Sequence, residues 1–217
     1  MKIAICIKQV PDSWAEKKMA GGVLDRAGVD AVLNDLDEYA VEEALRIVEA
    51  NSPTKEAGEA SGHSITLISM GPERATEAIR KALSMGADDA ILVSDPALAG
   101  SDALATSLVL AAVIKKGNYD LVLCGTESTD ARMSVIPAMI SQRLGWAQLT
   151  FAGKVAVNPA TTTVEIERVT EFGNQVMSAK FPALLSVIEK INEPRYPSFK
   201  GIMAAKKKLI TTMSLTD

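Results

Sequence analysis

The stretch with the clearest chemical potential is LVLCGTESTDARMSVIP, residues 121 to 137, in which four apolar residues lead into a small polar loop and then toward a helix. Gly125 allows the backbone to turn sharply as it leaves the predicted strand. Backbone N–H groups and the dipole of the following helix can bind phosphate without a lysine. The loop therefore predicts a phosphate site, although an ordinary strand-to-helix turn can have the same composition. Hydroxyl groups for such a site would come from Thr126, Ser128, Thr129 and Ser134.

The same loop contains two carboxylates, Glu127 and Asp130, and no lysine. Carboxylates would repel a phosphate, so they need another role in a nucleotide site. We predict that they accept hydrogen bonds from the ribose hydroxyls or the adenine amino group, or that they cap the following helix.

Other kinds of catalytic site find little support in the sequence. The single histidine, His63, lies beside Gly62 at the end of a predicted loop, where we expect an ordinary solvated side chain. The sequence contains no HExxH motif, no Walker phosphate loop and no GxGxxG after the first strand. Cys6 and Cys124 each lie in an apolar stretch, which predicts buried thiols and neither a disulfide nor a metal site. We expect neither a self-contained hydrolase nor a dehydrogenase.

Composition favours one main domain that works in a reducing cytoplasm. The 217 residues are 47% hydrophobic, and 23 basic and 27 acidic residues give a net charge of -4. This charge offers no general attraction to nucleic acid or to an anionic membrane. The one dense basic run, Lys206 to Lys208, is expected to be a solvated face. The N-terminus does not resemble a signal peptide, and no stretch approaches the length of a membrane span.

Hydrophobic periodicity predicts an alternation of strands and helices in the first two thirds of the chain. This pattern is typical of an α/β fold, with a Rossmann-like parallel sheet, helices on both faces and ligands at the carboxyl ends of the strands. Asp35 or Asp37 is expected to cap the first helix, and Gly86 to end the second. An antiparallel hairpin and an extended arm are expected to follow. The predicted strands are 2–8, 65–70, 89–93, 120–124, 154–157, 163–169, 176–180 and 183–188, and the predicted helices are 36–51, 72–86, 101–116 and 134–144.

Six segments resemble the beta (small) subunit of electron-transfer flavoproteins, and together they extend over practically the whole chain. The segments are IKQVPDSW, DEYAVEEALRI, GPERATEAIRKALSMGAD, DLVLCGTESTD, IERVTEFGNQVMSAKFPALLSV and INEPRYPSFKGIMAAKKK. The last segment is the most specific, because Asn-Glu-Pro-Arg-Tyr followed by Ile-Met-x-Ala-Lys-Lys-Lys is hard to explain outside this family. Within the family, the chain is similar to the bacterial type.

The resemblance implies a sheet of the adenine nucleotide alpha hydrolase type and a heterodimer. In that heterodimer the alpha subunit holds the redox FAD, and the beta subunit holds a structural AMP. Matched to the family's motifs, the AMP pocket would comprise Cys6, Asn34, Asp35, Leu36, Asp37, Met70, Gly125, Thr126, Glu127, Ser128, Thr129, Asp130, Ala131, Arg132, Met133, Ser134, Val135 and Ile136.

The resemblance also implies electron carriage from acyl-CoA-type dehydrogenases, as in fatty acid oxidation, to a membrane quinone oxidoreductase, with no catalysis by the beta subunit itself. Trp14 would lie near the flavin of the alpha subunit. Residues 1–190 would form the nucleotide-binding domain, and 191–217 a docking loop and the start of a C-terminal arm. The docking residues would be Asn192, Glu193, Pro194, Arg195, Tyr196 and Phe199, with Phe199 as the apolar anchor.

The sequence departs from the family pattern at several positions. Val135 stands where a glutamine is common, so the phosphate would depend on backbone N–H groups and Ser134. Phe172, Met177 and Ser186 are unusual for the stretch in which they lie, and relatives typically continue beyond Asp217. Two alternatives stay open: a bifurcating-type beta subunit that binds a second FAD in place of AMP, and a free-standing adenine-nucleotide-binding protein or hydrolase.

Overall fold

The computed structural model describes residues 1–52 and 62–217, and its central element is one nine-stranded sheet. Its strands are β1 (Lys2–Cys6), β6 (Ser64–Met70), β7 (Asp89–Val93), β8 (Leu121–Gly125), β9 (Ala147–Asn158), β10 (Thr163–Thr170), β11 (Gly173–Lys180), β12 (Ala183–Val187) and β13 (Ile210–Met213). Two short pairs lie outside the sheet: β2 (Gln9–Pro11) with β5 (Ala31–Leu33), and β3 (Met19–Ala20) with β4 (Val23–Leu24). The helices are α1 (Asp35–Asn51), α2 (Thr76–Met85), α3 (Ala103–Gly117), α4 (Ile136–Leu144) and α5 (Phe199–Ala205).

The strand order is β11-β10-β9-β12-β8-β1-β6-β7-β13. The strands from β9 to β13 in this order are parallel, and β10 and β11 add an antiparallel extension at one edge. The predicted α/β architecture with a parallel sheet and a hairpin is therefore confirmed. The proposed division of the chain at residue 190 stays a prediction.

The central strands are short and almost wholly apolar because both faces of the sheet are covered. One apolar cluster joins the sheet to α1 and α2, and a second joins its other face to α3 and α4. Strand β1 is buried from Ile3 to Cys6, and β8 and β12 are buried throughout. Continuous apolar runs of this kind are expected for parallel strands between two helical layers.

Three parts of the fold differ from the sequence prediction. Strand β9 begins at Ala147, well before the predicted start at residue 154, because the hairpin strand continues into a parallel pairing with β12. Residues 9–33 contain four short strands where only a loop was predicted. Helix α5 lies in a segment that shows little periodicity.

Helix α2 ends at Gly86 as predicted, and the glycine has two physical reasons. Its φ is +148°, and a Cβ there would lie 2.8 Å from the Leu45 side chain of α1. A side chain at this position would therefore be strained by its backbone and would collide with a neighbouring helix.

Candidate functional site

The carboxyl ends of β1, β6 and β8 lie side by side and form one edge of the sheet, which we call the mouth. Cys6 is the register partner of Cys124 on β8 and of Ile68 on β6, and Met70 ends β6. The predicted pocket residues Cys6, Met70 and Gly125 therefore lie at the ends of adjacent strands. A hydrogen bond with Cys6 and burial raise the pKa of Cys124, which keeps this group a thiol.

Asn34 joins the start of α1 to the loop that follows β8. Its side-chain N–H donates to the carbonyl of Glu127 at 2.9 Å, and its side-chain oxygen accepts from the backbone N–H of Thr129 at 3.0 Å. The residue is completely buried. One amide side chain thus holds the loop at two points, which determines the path of the backbone before Asp130.

Asp37 connects α1 to β1 and β8 through its carboxylate. The group accepts hydrogen bonds from the backbone N–H of Lys8, at 2.8 Å, and from Gly125. Burial raises the pKa of Asp37 to about 7, although bonds from Asn34, Lys8 and Gly125 act in the opposite direction. The predicted capping role of Asp35 or Asp37 is wrong, because Asn34 occupies the N-cap position and Asp37 faces the strands.

Gly125 is needed at the mouth for close approach. A Cβ at this residue would lie 2.6 Å from the Asp37 carboxylate and 2.8 Å from the backbone of Leu36. Because Gly125 ends β8 without a positive φ, the sharp turn expected at this residue is not the reason for the glycine. The absence of a side chain lets α1 pack directly against the end of the strand.

Asp130 differs most from its predicted role. Its buried carboxylate forms ion pairs with Lys8, at 2.9 Å, and with Arg26, at 2.5 Å. Burial opposes its ionisation, but hydrogen bonds and charge from Lys8, Ser128 and Arg26 hold the pKa of Asp130 well below its usual range. In this structure Asp130 therefore holds two cations rather than presenting a free carboxylate.

Lys8 and Arg26 were missed by the sequence reasoning, which expected a site without cationic side chains. The Lys8 ammonium also donates to the Ser128 hydroxyl at 3.2 Å. The only local signal was that Lys8 follows β1 by two residues, at the end of the strand that carries Cys6. No signal near Arg26 indicates that it meets a residue 104 positions away.

The remaining polar groups of the loop are partly engaged within the protein. The Ser134 hydroxyl donates to the Glu127 carboxylate at 2.9 Å, and the Thr126 hydroxyl donates to the carbonyl of Val187 at 2.7 Å. The Glu127 carboxylate therefore binds another residue of the same loop. Of the other predicted pocket residues, Ala131, Arg132 and Met133 are exposed, as is Asp35, whereas Leu36, Val135 and Ile136 are half-buried.

The end of the loop presents a run of unpaired backbone donors. Within the described part of the chain, the N–H groups of residues 133 to 136 donate no hydrogen bond. Arg132 and Ser134 have φ values of +50° and +55°, so the backbone curls tightly just before α4. Successive free N–H groups next to a helix N-terminus are suited to bind an anion.

The second predicted region, residues 192 to 199, is attached to α1 by its polar residues. Asn192 donates to the carbonyl of Tyr39 and to the Glu43 carboxylate, at 3.0 and 2.9 Å. The Arg195 guanidinium bonds both Glu42 and Glu49. Despite burial, these bonds hold the pKa of Glu42 below its usual value. Asn192 and Arg195 therefore fasten the segment to its own subunit.

The aromatic residues of this region face solvent. Tyr196 is 97% exposed and Phe199 is 81% exposed, and Glu193 is also exposed, whereas Pro194 is half-buried. Trp14, the residue predicted to lie near a flavin, is 95% exposed. Trp14 precedes a loop that is held in place by Arg74, whose guanidinium donates hydrogen bonds to the carbonyls of Arg26, Ala27 and Val29.

Two open clefts lie elsewhere on the molecule. One, of about 570 Å³, is lined by residues 15, 16, 18 and 27–30 together with Arg74 and Glu77. The other, of about 560 Å³, lies near Tyr119, Arg143 and Trp146 at the opposite edge of the sheet from the mouth.

Across residues 1–52 and 62–217, no helix has the length and apolar character to cross a membrane. The same residues include no group of three or more histidine, cysteine or acidic side chains that could hold a metal ion.

Comparison with known proteins gives consistent matches. A family model described as the electron transfer flavoprotein domain matches residues 21–217. The electron transfer flavoprotein subunit beta of Mycobacterium tuberculosis is 49% identical over 218 residues, which cover 99% of this chain and 79% of that protein. The subunit beta of Megasphaera elsdenii is 39% identical, covering 98% and 78%. The protein FixA of Azotobacter vinelandii is 37% identical, covering 95% and 72%.

Proposed function

The chain belongs to the family of electron transfer flavoprotein beta subunits, and from this premise we propose that it is the non-catalytic half of a heterodimeric electron carrier. The alpha subunit would hold the redox FAD. The beta subunit would bind an AMP at the mouth, support the flavin through the loop that carries Trp14, and dock the proteins that donate electrons. Electrons would pass from acyl-CoA-type dehydrogenases through the FAD to a quinone oxidoreductase.

The free N–H groups of residues 133 to 136 are the observation that carries the nucleotide assignment. They adjoin the N-terminus of α4, where the helix dipole adds a favourable field for a negative group. A phosphate there would give these groups the acceptors that residues 1–52 and 62–217 do not provide. Cys6, Met70 and Gly125 would border the nucleotide from the three neighbouring strands.

Lys8 and Arg26 belong to the electrostatics of the same site. Asp130 already neutralises part of their charge, so a phosphate near the mouth would meet a moderate positive potential. The nucleotide would connect the ends of β1, β6 and β8 to the start of α4. Such a bridge accounts for a structural AMP, because a ligand that binds only the folded chain stabilises it.

Phe199 supports the docking part of the proposal. The aromatic side chain is held outward on a segment that Asn192 and Arg195 fasten to α1. A preorganised aromatic residue loses little conformational entropy when a partner buries it, so it is suited to be an interface hot spot. Glu193, Pro194 and Tyr196 would lie beside it at the contact.

Acid extraction of the co-purified heterodimer, with quantitation of AMP and FAD, tests the proposal. We expect one AMP and one FAD per heterodimer. Two FAD molecules without AMP would indicate the bifurcating type. A chain that purifies alone, without flavin and with nucleotide turnover, would contradict the electron-carrier proposal.

A variant of the loop sharpens this test. Met133→Asp places a carboxylate beside the free N–H groups, where it competes with phosphate, at an exposed position. Gln142→Glu, at an exposed position later in α4, adds the same charge away from the site. We expect AMP to be lost from the first variant and retained by the second. Equal AMP content in the two variants would show that the nucleotide does not bind at the mouth.

A further inference from the structure

Residues 26–29 form a short segment that is attached to the rest of the protein on both sides of the mouth. On one side, the Arg26 guanidinium pairs at 2.5 Å with Asp130, in the loop that follows β8. On the other side, Arg74, shortly after β6, donates hydrogen bonds to three backbone carbonyls of the segment. We call residues 26–29 the strap, and Asp130 and Arg74 its two anchors.

The two anchors place the strap across the carboxyl end of β1. In the sheet, β1 lies between β8 and β6, which are the strands that lead to the two anchors. Adjacent strands are about 4.8 Å apart, so β8 and β6 are separated by about 10 Å. A segment that is bound on both sides therefore passes the end of β1, which is the centre of the mouth.

The strap holds its own local shape. The Asp25 carboxylate accepts hydrogen bonds from the backbone N–H groups of Ala27 and Gly28, at 3.1 and 3.0 Å. An aspartate that binds N–H groups two and three residues ahead closes a tight turn without help from other parts of the chain. The strap can therefore keep its shape when an anchor is released.

Polar contacts hold the strap in place, because the loop around it has no buried residue. All of residues 12–30 are exposed or half-buried. Segments with few buried apolar contacts open locally at a small cost in free energy. At the base of the loop, the N–H of Asp12 donates to the carbonyl of Asp30 at 2.9 Å, beside the pairing of β2 with β5. The loop thus has a fixed base and a distant end that depends on its two anchors.

Asp130 keeps a partner when Arg26 leaves it. The Lys8 ammonium pairs with the other oxygen of the same carboxylate at 2.9 Å. A buried carboxylate without a cation would be costly, but Lys8 continues to neutralise Asp130. The Arg26 side chain is 51% exposed, so water can solvate the released guanidinium. Opening of the strap at this anchor therefore leaves no buried charge unpaired.

We propose that the strap is a gate on the mouth, which the ion pair between Arg26 and Asp130 keeps closed. The proposal rests on the proposed nucleotide site and adds a control of nucleotide exchange. An AMP that extends from residues 133–136 to the ends of β1 and β6 would lie under the strap, so it enters and leaves only when the strap opens. A weaker ion pair should therefore speed both the binding and the release of AMP.

The test follows nucleotide exchange in the purified heterodimer, which is loaded with AMP and then mixed with an excess of isotopically labelled AMP. Arg26→Gln removes one anchor and should raise the release rate about fivefold, on the scale of a half-exposed ion pair. Arg74→Gln weakens the other anchor and should also accelerate release. If Arg74→Gln does not fold, Arg26→Gln decides the proposal by itself.

The dissociation constant separates a gate from a direct contact with the nucleotide. A gate changes the rates of binding and release by the same factor, so Kd from equilibrium dialysis should stay within about twofold of wild type in both variants. A guanidinium that touches the phosphate would instead contribute to affinity. Its loss would speed release and weaken Kd, with no faster binding.

Lys18→Gln is the matched control. Lys18 lies in the same loop, where its exposed side chain forms a long ion pair with Glu16 at 3.8 Å. The substitution removes the same charge as Arg26→Gln and leaves both anchors intact. Its rate of AMP release should therefore stay within about twofold of wild type.

Three results would overturn the proposal in different ways. Equal release rates in Arg26→Gln and Lys18→Gln would show that the strap is no gate, while the nucleotide site stands. Faster release with a weaker Kd and no faster binding would make Arg26 a direct contact of the phosphate. A wild-type heterodimer that neither contains AMP nor takes it up would refute the proposed nucleotide site, and the gate with it.

Discussion

The mouth of the sheet and the exposed surface formed by Tyr196, Phe199, Ile202 and Met203, which we call the α5 face, both adjoin polar residues that pair within the protein, but the two regions leave different groups unsatisfied. At the mouth, the side chains of Asn34 and Asp130 are buried and paired within the protein, and the N–H groups of residues 133 to 136 have no acceptor among the described residues. At the α5 face, Arg195 and Lys208 are paired within the protein, and apolar side chains remain uncovered.

The difference indicates what each region can bind. Free N–H groups beside a helix N-terminus suit a compact anion, because they supply directional bonds at short range. Uncovered apolar side chains suit another protein, because their contribution grows with the area removed from water. In both regions the charged residues position the binding groups, and their substitution should therefore affect folding as well as binding.

The largest effect is expected at the mouth, from Gly125→Ala. The new methyl group would meet the backbone of Leu36, which cannot move without shifting α1, so we expect a loss of roughly 3 kcal/mol in the free energy of unfolding. Gly71→Ala, just after strand β6 of the same sheet, meets only the Cβ of Ala75 at 3.4 Å and should cost much less. Urea denaturation of both variants checks this, and equal stabilities would contradict close packing at the mouth.

At the other region, Arg195→Gln should destabilise the fold by about 2 kcal/mol, because it leaves the buried Glu42 carboxylate with a weaker partner. The value is below that for fully buried pairs because the Arg195 side chain is 36% exposed. Glu49→Gln removes only the outer ion pair and serves as the control. If Arg195→Gln slows docking without changing thermal unfolding, Arg195 is a contact residue and not an internal fastener.

Phe199→Ala is expected to impair docking and leave folding stability unchanged, whereas Arg195→Gln is expected to lower folding stability. We expect the activation free energy that corresponds to kcat/KM with an acyl-CoA dehydrogenase to rise by about 2 kcal/mol, on the scale of an interface hot spot. Folding stability should not change. Phe172→Ala, which removes another highly exposed aromatic side chain from the turn before β11, is the matched control. Similar kcat/KM values for the two variants would show that the α5 face takes no part in docking.

The smallest effect is a pH dependence at the mouth. The folded pKa of Asp37 is about 7, above its ordinary value of 3.8, so the folded chain keeps a proton that the unfolded chain releases. Its contribution to stability is present below pH 4 and is lost as the pH rises toward 7. Asp37→Asn cannot titrate, so wild type should lose about 1.6 kcal/mol relative to this variant between pH 5.5 and 7. Parallel stability curves over this range would show that Asp37 is ionised in the folded chain.

Much of the fold followed from local patterns. Apolar runs located the central strands, and Gly86 marked the end of α2 because its conformation excludes other residues. Helix α5 was not predicted, since its apolar residues face outward and its core contacts are made by Gly201 and Ala205, which produce no hydrophobic period. The early start of β9 was missed because its first residues pair with β12, far along the chain.

The sequence by itself determined the order along the chain of the central strands and of helices α1 to α4, the loop after β8 as the most chemically promising segment, and the family. Only the tertiary structure decided what the charged residues do. Lys8 meets Asp130 across 122 positions of the chain, and Arg195 meets Glu42 across 153. Ion pairing depends on distance in space, and a local pattern carries no information about which distant charge will complete the pair.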